Sequence, residues 1–351
     1  MLYINKKEVT LAVKKHILSL KKAKTWQVNV TFGDCRLIIE SCTPHHIYST
    51  STCIPLPPDE TFISLDIKEF LNCLNFCNEE SILLELTEGV LKVGQTSLKT
   101  APPIEFQKYS WATNLYTTEV SVPTSEITAA IKAVAAGLPK KPDIRDYLNH
   151  VLFSSKEKAT ASNGHCLFSS KIPEIPQDFL LPKELLFAFT GDDSRTALIS
   201  VSTTEVKIKT ASFMLSYEHI SARYPSFDKV LTGDNTCYTL SKKELVSLLK
   251  QINTRYKEQL GLLKISDEGL SLTVKDTVVG IPMPCSKGHT TEMGFNVAYL
   301  LTAVKDLIGD KIEMTIFTGG NSCMYGRITF SDTVTTNLVM EARHSPSPVP
   351  L

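Results

Sequence analysis

Asp192 and Asp193, adjacent in a Gly-Asp-Asp segment, are the carboxylates best spaced to share a metal ion. A polar turn accounts for them equally well, because Asp after Gly readily bonds its own backbone. Cysteine offers more candidates: nine stand at positions 35, 42, 53, 73, 77, 166, 237, 285 and 323. Zinc sites draw on close pairs such as C-x2-C or H-x3-H. The nearest approaches here are Cys42 beside His45 and His46, and Cys73 four residues before Cys77, so buried free thiols are the preferred reading. Cys166 directly follows His165, and a nucleophile–base pair made of them fails on geometry, since neighbours in a strand point to opposite faces. No P-loop, HExxH or GxSxG segment occurs. The expectation is a protein that is not an enzyme, with no catalytic residues, no metal and no cofactor.

Lysine carries more information. Lys7, Lys14 and Lys21 recur every seven residues, and Lys15 and Lys22 flank them. At about 100° per residue a helix continuing to position 22 would set the first three on one face, with Val9, Val13 and Ile17 pointing elsewhere. Stretches 125–145 and 242–257 are also basic, through Lys132, Lys140, Lys141 and Arg145, and through Lys242, Lys243, Lys250, Arg255 and Lys257. Together with 6–24 they hold 16 basic and four acidic residues, leaving 21 basic and 33 acidic elsewhere in a chain of zero net charge. For one helix such a face reads as merely solvated. Three of the same bias point to a phosphate-facing surface, and without an arginine–aromatic code it would not read sequence.

The elements that must carry these lysines recur. Apolar stripes of helical period run from Glu8 to Leu20, from Glu126 to Leu138, and onward from Ser241 to Tyr256. Glu8, Glu126 and Glu244 are spaced by 118 residues and again 118, and Ser241 with Glu244 has capping-box spacing. A second helix is predicted at Ser64 to Leu71, at Leu180 to Leu186 and at Phe295 to Leu301. Between the helices, short β-branched or alternating runs read as strands, among them Gln27 to Phe32, Leu37 to Ser41, Val90 to Val93 and Ile312 to Phe317. The fold class expected is α+β, three copies of a helix–strands–helix–strands unit. The domains expected are 1–115, 116–234 and 235–344, followed by a Pro-rich tail, 345–351.

Composition sets the outer limits. With 351 residues, 42% hydrophobic and 21% charged, the chain fits a soluble globular protein of two or three domains. No apolar run approaches the roughly 18 residues needed to span a bilayer, and the first residues lack the apolar stretch of a signal peptide. A cytoplasmic protein without a membrane partner is expected.

Five patches in order resemble the bacterial sliding clamp, the β subunit of the replicative DNA polymerase. They are Arg145-Asp146-Tyr147-Leu148-Asn149, Ala161-Ser162-Asn163-Gly164-His165-Cys166-Leu167, Tyr224-Pro225-Ser226-Phe227-Asp228-Lys229-Val230-Leu231, Gly294-Phe295-Asn296-Val297-Ala298-Tyr299-Leu300-Leu301 and Asn337-Leu338-Val339-Met340-Glu341-Ala342-Arg343. The resemblance implies a head-to-tail homodimer closing a ring round duplex DNA, with no sequence preference. Edge strands near Leu91 to Lys99 would then meet the third unit of the partner. The lysines at 7, 14, 15, 21, 22, 132, 140, 141, 242, 243 and 250 would face the duplex. The expected function is to tether the replicative polymerase and other factors for processivity, in the cytoplasm, associated with the nucleoid.

The resemblance also implies a pocket where the polymerase and the clamp loader insert short peptides of Gln-Leu-x-Leu-Phe type. Its expected members are Arg145, Leu148, Ser162, Gly164, His165, Leu167, Pro225, Val230, Asn296, Tyr299, Ser322, Leu338, Val339, Met340 and Arg343. The plainer readings are that Pro225 and Val230 shape a turn and a core, that Leu338 and Val339 are ordinary strand residues, and that His165 is structural. Departures from the family pattern cluster here: Cys166 stands for a usual Arg, and Glu341-Ala342 for Pro-Met, so standard motifs should bind more weakly. The tail from His344 to Leu351 either lies over this pocket or is a free end. Two other readings remain: an adaptor not loaded on DNA, and a DNA-processing enzyme.

Overall fold

The structure is a computed structural model that describes residues 2–23, 25–54, 60–105, 116, 118–220, 222, 224, 228–231, 233–256, 260–266, 269–275, 277–281, 291–318 and 326–342. In the first third the elements are β1 (Leu2–Asn5), α1 (Lys6–Ser19), β2 (Gln27–Gly33), β3 (Arg36–Thr43), β4 (His46–Cys53), β5 (Thr61–Asp66), α2 (Ile67–Phe76), β6 (Ser81–Thr87), β7 (Val90–Val93) and β8 (Thr96–Lys99). There follow β9 (Thr118–Pro123), α3 (Thr124–Val134), β10 (His150–Ser154), β11 (Lys158–Ser162), β12 (Cys166–Lys171), β13 (Phe179–Pro182), a 3-10 helix over Lys183–Phe189, β14 (Thr196–Val201), β15 (Glu205–Lys209) and β16 (Phe213–Glu218). The last third holds β17 (Asp234–Ser241), α4 (Lys242–Arg255), β18 (Leu260–Ser266), β19 (Gly269–Val274), β20 (Thr277–Ile281), β21 (Thr291–Asn296), α5 (Val297–Lys305), β22 (Lys311–Thr318), β23 (Arg327–Ser331) and β24 (Thr335–Met340). Among the described residues no helix is long and apolar enough to cross a membrane.

Helix starts follow their caps. Asn5 accepts from the Glu8 amide at 3.1 Å, and Ser241 from the Glu244 amide at 3.4 Å, each satisfying an otherwise orphan donor. The next helices begin later than the sequence suggests. Ser64 to Asp66 and Phe295 to Asn296 are still strand, and Asp66 and Asn296 cap helices that start at Ile67 and Val297. The middle expected copy, Leu180 to Leu186, is no α-helix at all. It is strand to Pro182 and then 3-10 helix, without the side-chain cap that Asp66 and Asn296 supply to the other two.

Helix α1 also stops early. Leu20, 1% exposed, turns its amide back to the carbonyls of His16 and Leu18. Lys21 and Lys22 therefore lie in the following turn and do not extend the helical stripe of Lys7 and Lys14.

The chain divides into two compact units, Met1–Thr128 with Pro173–Ser221, and Ala129–Ile172 with Ala222–Leu351. In the first, a four-stranded sheet runs β1-β6-β7-β8 and an eight-stranded sheet runs β5-β2-β3-β4-β16-β15-β14-β9. The join is antiparallel, with Leu215 opposite Tyr48. Helix α1 packs on α2 and against β3 and β4, burying Val9 and Val13 completely among Leu37, Ile39, Phe70 and Leu74. Burying such side chains contributes on the order of 1.5–3 kcal/mol each.

The other side of α1 buries polar groups. His16 bonds Ser41 Oγ and Thr50 Oγ1, both at 2.9 Å. Ser41 donates to Ser19 Oγ at 3.1 Å, Ser19 meets His46 Nε2 at 2.8 Å, and His46 Nδ1 meets Thr43 Oγ1 at 2.9 Å.

In the second unit the larger sheet runs β10-β11-β12-β24-β23-β22-β17, and a smaller one runs β20-β19-β18-β21. Helices α4 and α5 pack together, with Leu245, Leu248, Leu249 and Leu300 meeting Leu263, Leu272, Met314 and Phe330. Strand β12 pairs with β24, Cys166 opposite Val339 and Leu167 opposite Leu338. That pairing brings two of the sequence patches into one place.

Candidate partner-peptide site and basic surface

The turn between β11 and β12 is organised by two side chains. Asn163 Oδ1 accepts from the amides of His165 and Cys166, each at 2.9 Å, and Ser162 Oγ accepts from the Gly164 amide at 3.1 Å while donating to the Cys166 carbonyl at 2.8 Å. Gly164 sits at φ +84°, in the left-handed region that favours glycine. A Cβ there would also lie 2.9 Å from Arg145 Nη2. The turn leaves His165 exposed, with its ring stacked on Tyr299, centroids 5.9 Å apart and planes 17° apart. Tyr299 is fixed in turn by the first turn of α5, where Asn296 Oδ1 accepts from the Ala298 and Tyr299 amides.

Arg145 is held beside this turn by Asp143, with Nε to Oδ1 at 2.9 Å and Nη2 to Oδ2 at 3.0 Å. The guanidinium holds the Asp143 carboxyl down at about 2, well below its ordinary value. Asn149 clasps the Asp143 backbone through both its amide and its carbonyl, at 2.9 Å each.

On the opposite strand the Met340 amide donates to the His165 carbonyl at 2.9 Å, and Met340 is half-buried. Several expected members are core residues: Leu148, Leu167, Leu338 and Val339 are all buried, as is Ser162. Leu167, Leu338 and Val339 hold β12 in register with β24, while Arg145, Gly164 and His165 are exposed and Asn296, Tyr299 and Met340 partly so. Val230 is half-buried in the 3-10 turn Asp228–Leu231. Pro225, Ser322, Arg343 and the tail lie outside the described residues. Cys166 is buried, and burial pushes its thiol up to about 11, so it is a neutral neighbour here and no nucleophile.

Sequence reasoning passed over Asn163, Asp143, Gly326 and Met293. The first two had a signal, Asn before Gly and Asp two residues before Arg. The other two have none, because the ends of β21, β23 and β24 meet only in the fold.

The lysines divide by burial. Lys7 and Lys14 on α1, Lys132 on α3, and Lys243 and Lys250 on α4 are exposed, as are Lys21, Lys22, Lys140 and Lys141. Lys22 lies 3.6 Å from Glu184. Lys242 is half-buried and donates to the Leu307 carbonyl. Lys15 corrects the expectation of a DNA-facing residue. It is 7% exposed, donates to the Ala188 carbonyl at 2.9 Å and stands 5.8 Å from the Phe213 ring centre. The cause is angular: at about 100° per residue it lies a full step beyond Lys14, on the side where α1 meets the 3-10 helix Lys183–Phe189.

Such an assembly of sheets and helices is the fold of a DNA polymerase clamp subunit. The structure matches the β subunit of DNA polymerase III from Borrelia burgdorferi at a TM-score of 0.81 and 18% identity, over 97% of this chain and 99% of that one. It matches the subunit from Thermotoga maritima at 0.80 and 18%, over 98% and 99%. A Helicobacter pylori β clamp bound to a DNA ligase peptide matches at 0.80 and 14%, over 97% and 99%. In sequence the chain is a divergent relative of the β sliding clamps. It is 22% identical to that of Proteus mirabilis over 263 residues, 68% of this chain and 70% of that one, and 20% identical to that of Haemophilus influenzae over 321 residues, 83% and 85%. No family model matches the chain.

Proposed function

We propose that this chain is a DNA sliding clamp, a non-enzymatic ring that encircles duplex DNA and tethers a DNA polymerase and other replication factors through short peptides. The observation that carries this reading is the likeness of fold along nearly the whole length of both chains. The element order supports a three-domain chain: strand, helix, four strands, helix, three strands occurs three times, a 3-10 helix standing second in the middle stretch. The boundaries are those of 1–115, 116–234 and 235–344. Matching anchors support the same reading. The amides of Lys6 and Lys242 donate to the carbonyls of Glu80 and Asp310, and their ammonium groups to Cys77 and Leu307.

Two copies close the ring head to tail. Among the described residues, strands β8 and β20 each end a four-stranded sheet and leave a free row of backbone donors and acceptors, and Val278 on β20 is 66% exposed. The exposed lysines at 7, 14, 21, 22, 132, 140, 141, 243 and 250 face the duplex and draw phosphates without gripping bases. The site around His165, Tyr299 and Met340 takes the peptides of the polymerase and the clamp loader. Such a protein works in the cytoplasm on the nucleoid.

The test is solution mass followed by DNA retention. At micromolar concentration the expected mass is about twice the chain's 38.9 kDa. Loaded protein should stay on a closed circle and leave when the circle is cut. A strict monomer at every concentration, or equal retention on linear DNA, overturns the ring.

A further inference from the structure

We propose that Glu341 makes the peptide site selective for a segment carrying a basic side chain beside its apolar anchors. The inference rests on the reading of this site as a peptide site and names the partner it prefers. Glu341 follows Met340, whose amide is bonded to His165, so it lies one step along the strand from the His165–Tyr299 stack.

Its carboxylate is held in place. Glu341 Oε2 accepts from the Gly326 amide at 2.7 Å, and the Glu341 amide donates to the Gly326 carbonyl at 2.9 Å. A Cβ at Gly326 would lie 2.4 Å from Met293 Sδ and 2.9 Å from Glu341 Oε2, so glycine is what admits both groups. The Ala342 amide then donates to the Gly294 carbonyl at 2.8 Å, fixing the end of the strand a second time. A proline at 341 could make neither contact with Gly326, having no amide hydrogen and no carboxylate.

Charge points the same way. Where the family pattern has Arg, Cys166 is neutral, and where it has Pro-Met, Glu341 adds a negative charge. Arg145, the exposed cation beside the turn, is already matched by Asp143, and Arg327, opposite Met340, is buried. Glu341 is half-buried and has no ionic partner among the described residues. A partly dehydrated carboxylate, fixed in advance and unmatched among the described residues, favours an incoming cation and disfavours an acid.

The experiment titrates the full chain with synthetic Gln-Leu-x-Leu-Phe peptides. Lysine is placed in turn before, within and after the motif, against norleucine and glutamate at the same place. On the parent, one lysine position is expected to bind at least about fivefold tighter than norleucine and the glutamate peptide weaker, the gap narrowing with salt. On Glu341→Gln, which keeps an acceptor for Gly326, the lysine advantage should fall within twofold while norleucine binding persists. No lysine position gaining more than twofold on the parent overturns the selectivity and leaves the site standing. Absence of binding by all the peptides overturns the site itself.

Discussion

The imidazole of His165 lies nearly parallel to the ring of Tyr299, 17° from coplanar, with centroids 5.9 Å apart. Each ring is set by a backbone device of its own: the Asn163 turn on one side, the Asn296 helix cap on the other. An aromatic pair built this way is ordered before any partner arrives, so a peptide resting on it pays less to immobilise the site. Met340, tied by its amide to the His165 carbonyl, completes the surface from the neighbouring strand.

Tyr299→Ala should therefore weaken binding of a Gln-Leu-x-Leu-Phe peptide by about 1–2 kcal/mol, or roughly 5- to 30-fold. Gly164→Ala should weaken it too without touching the peptide, since φ +84° costs an alanine about 1–2 kcal/mol and the new methyl meets Arg145. Calorimetric titration reads both. If both variants bind like the parent, the peptide site lies elsewhere.

Lys7 and Lys14 differ from Lys15 in what they can contact. Charge reversal of the exposed pair, Lys7→Glu with Lys14→Glu, should leave thermal stability within about 0.5 kcal/mol, because exposed charges contribute little. It should reduce DNA retention alike for all sequences, and the deficit should shrink at high salt. Undiminished retention would remove these lysines from the DNA-facing surface.

Lys15 should behave in the opposite way. Burial lowers its pKa, Asp192 partly restores it, and its ammonium is committed to the Ala188 carbonyl. Lys15→Glu sets a buried acid within the field of Asp192 and should cost on the order of 3–5 kcal/mol. Lys15→Met, which keeps the stem, should be far milder and leave DNA retention unchanged. A Lys15→Glu variant as stable as the parent would contradict the burial.

The boundary between what could and could not be read from sequence is physical. Helix stripes and caps are local, so α1 and α4 were legible from Val9, Val13 and Ser241, and strands such as β7 matched residue for residue. The middle 3-10 helix was missed because the apolar pattern at Leu180 to Leu186 resembles its counterparts. Lys15 was misplaced because helical phase says which residues share a face, while the neighbour covering that face comes from far along the chain. The family patches were legible as sequence, and the fold brings two of them together through β12 and β24. The contacts around them were not legible: Asp143 neutralising Arg145 and Glu341 closing on Gly326 are contacts of the fold.

The buried chain Thr50–His16–Ser41–Ser19–His46–Thr43 gives the last prediction. Burial pushes His16 down to about 3 and His46 to about 4. The charges facing them only modulate this: Lys15 beside His16 and His45 beside His46 push further down, and Glu184 opposes at His46. Tyr48 covers the His16 ring at 4.9 Å and brings no charge of its own near neutrality. In the unfolded chain both imidazoles titrate near 6.5. Their contribution is thus complete above pH 6.5 and is lost as pH falls toward 4 and then 3, because the unfolded chain binds protons that the folded one refuses. At pH 4.5 the loss is roughly 2–3 kcal/mol for each histidine. Denaturant midpoints should fall steeply between pH 6.5 and 4.5. In NMR, two of the eight histidines, His16 and His46, should keep neutral-imidazole shifts at pH 5. Titration of His16 or His46 above pH 5.5 in the folded protein would mean that water reaches the chain and that α1 does not seal it.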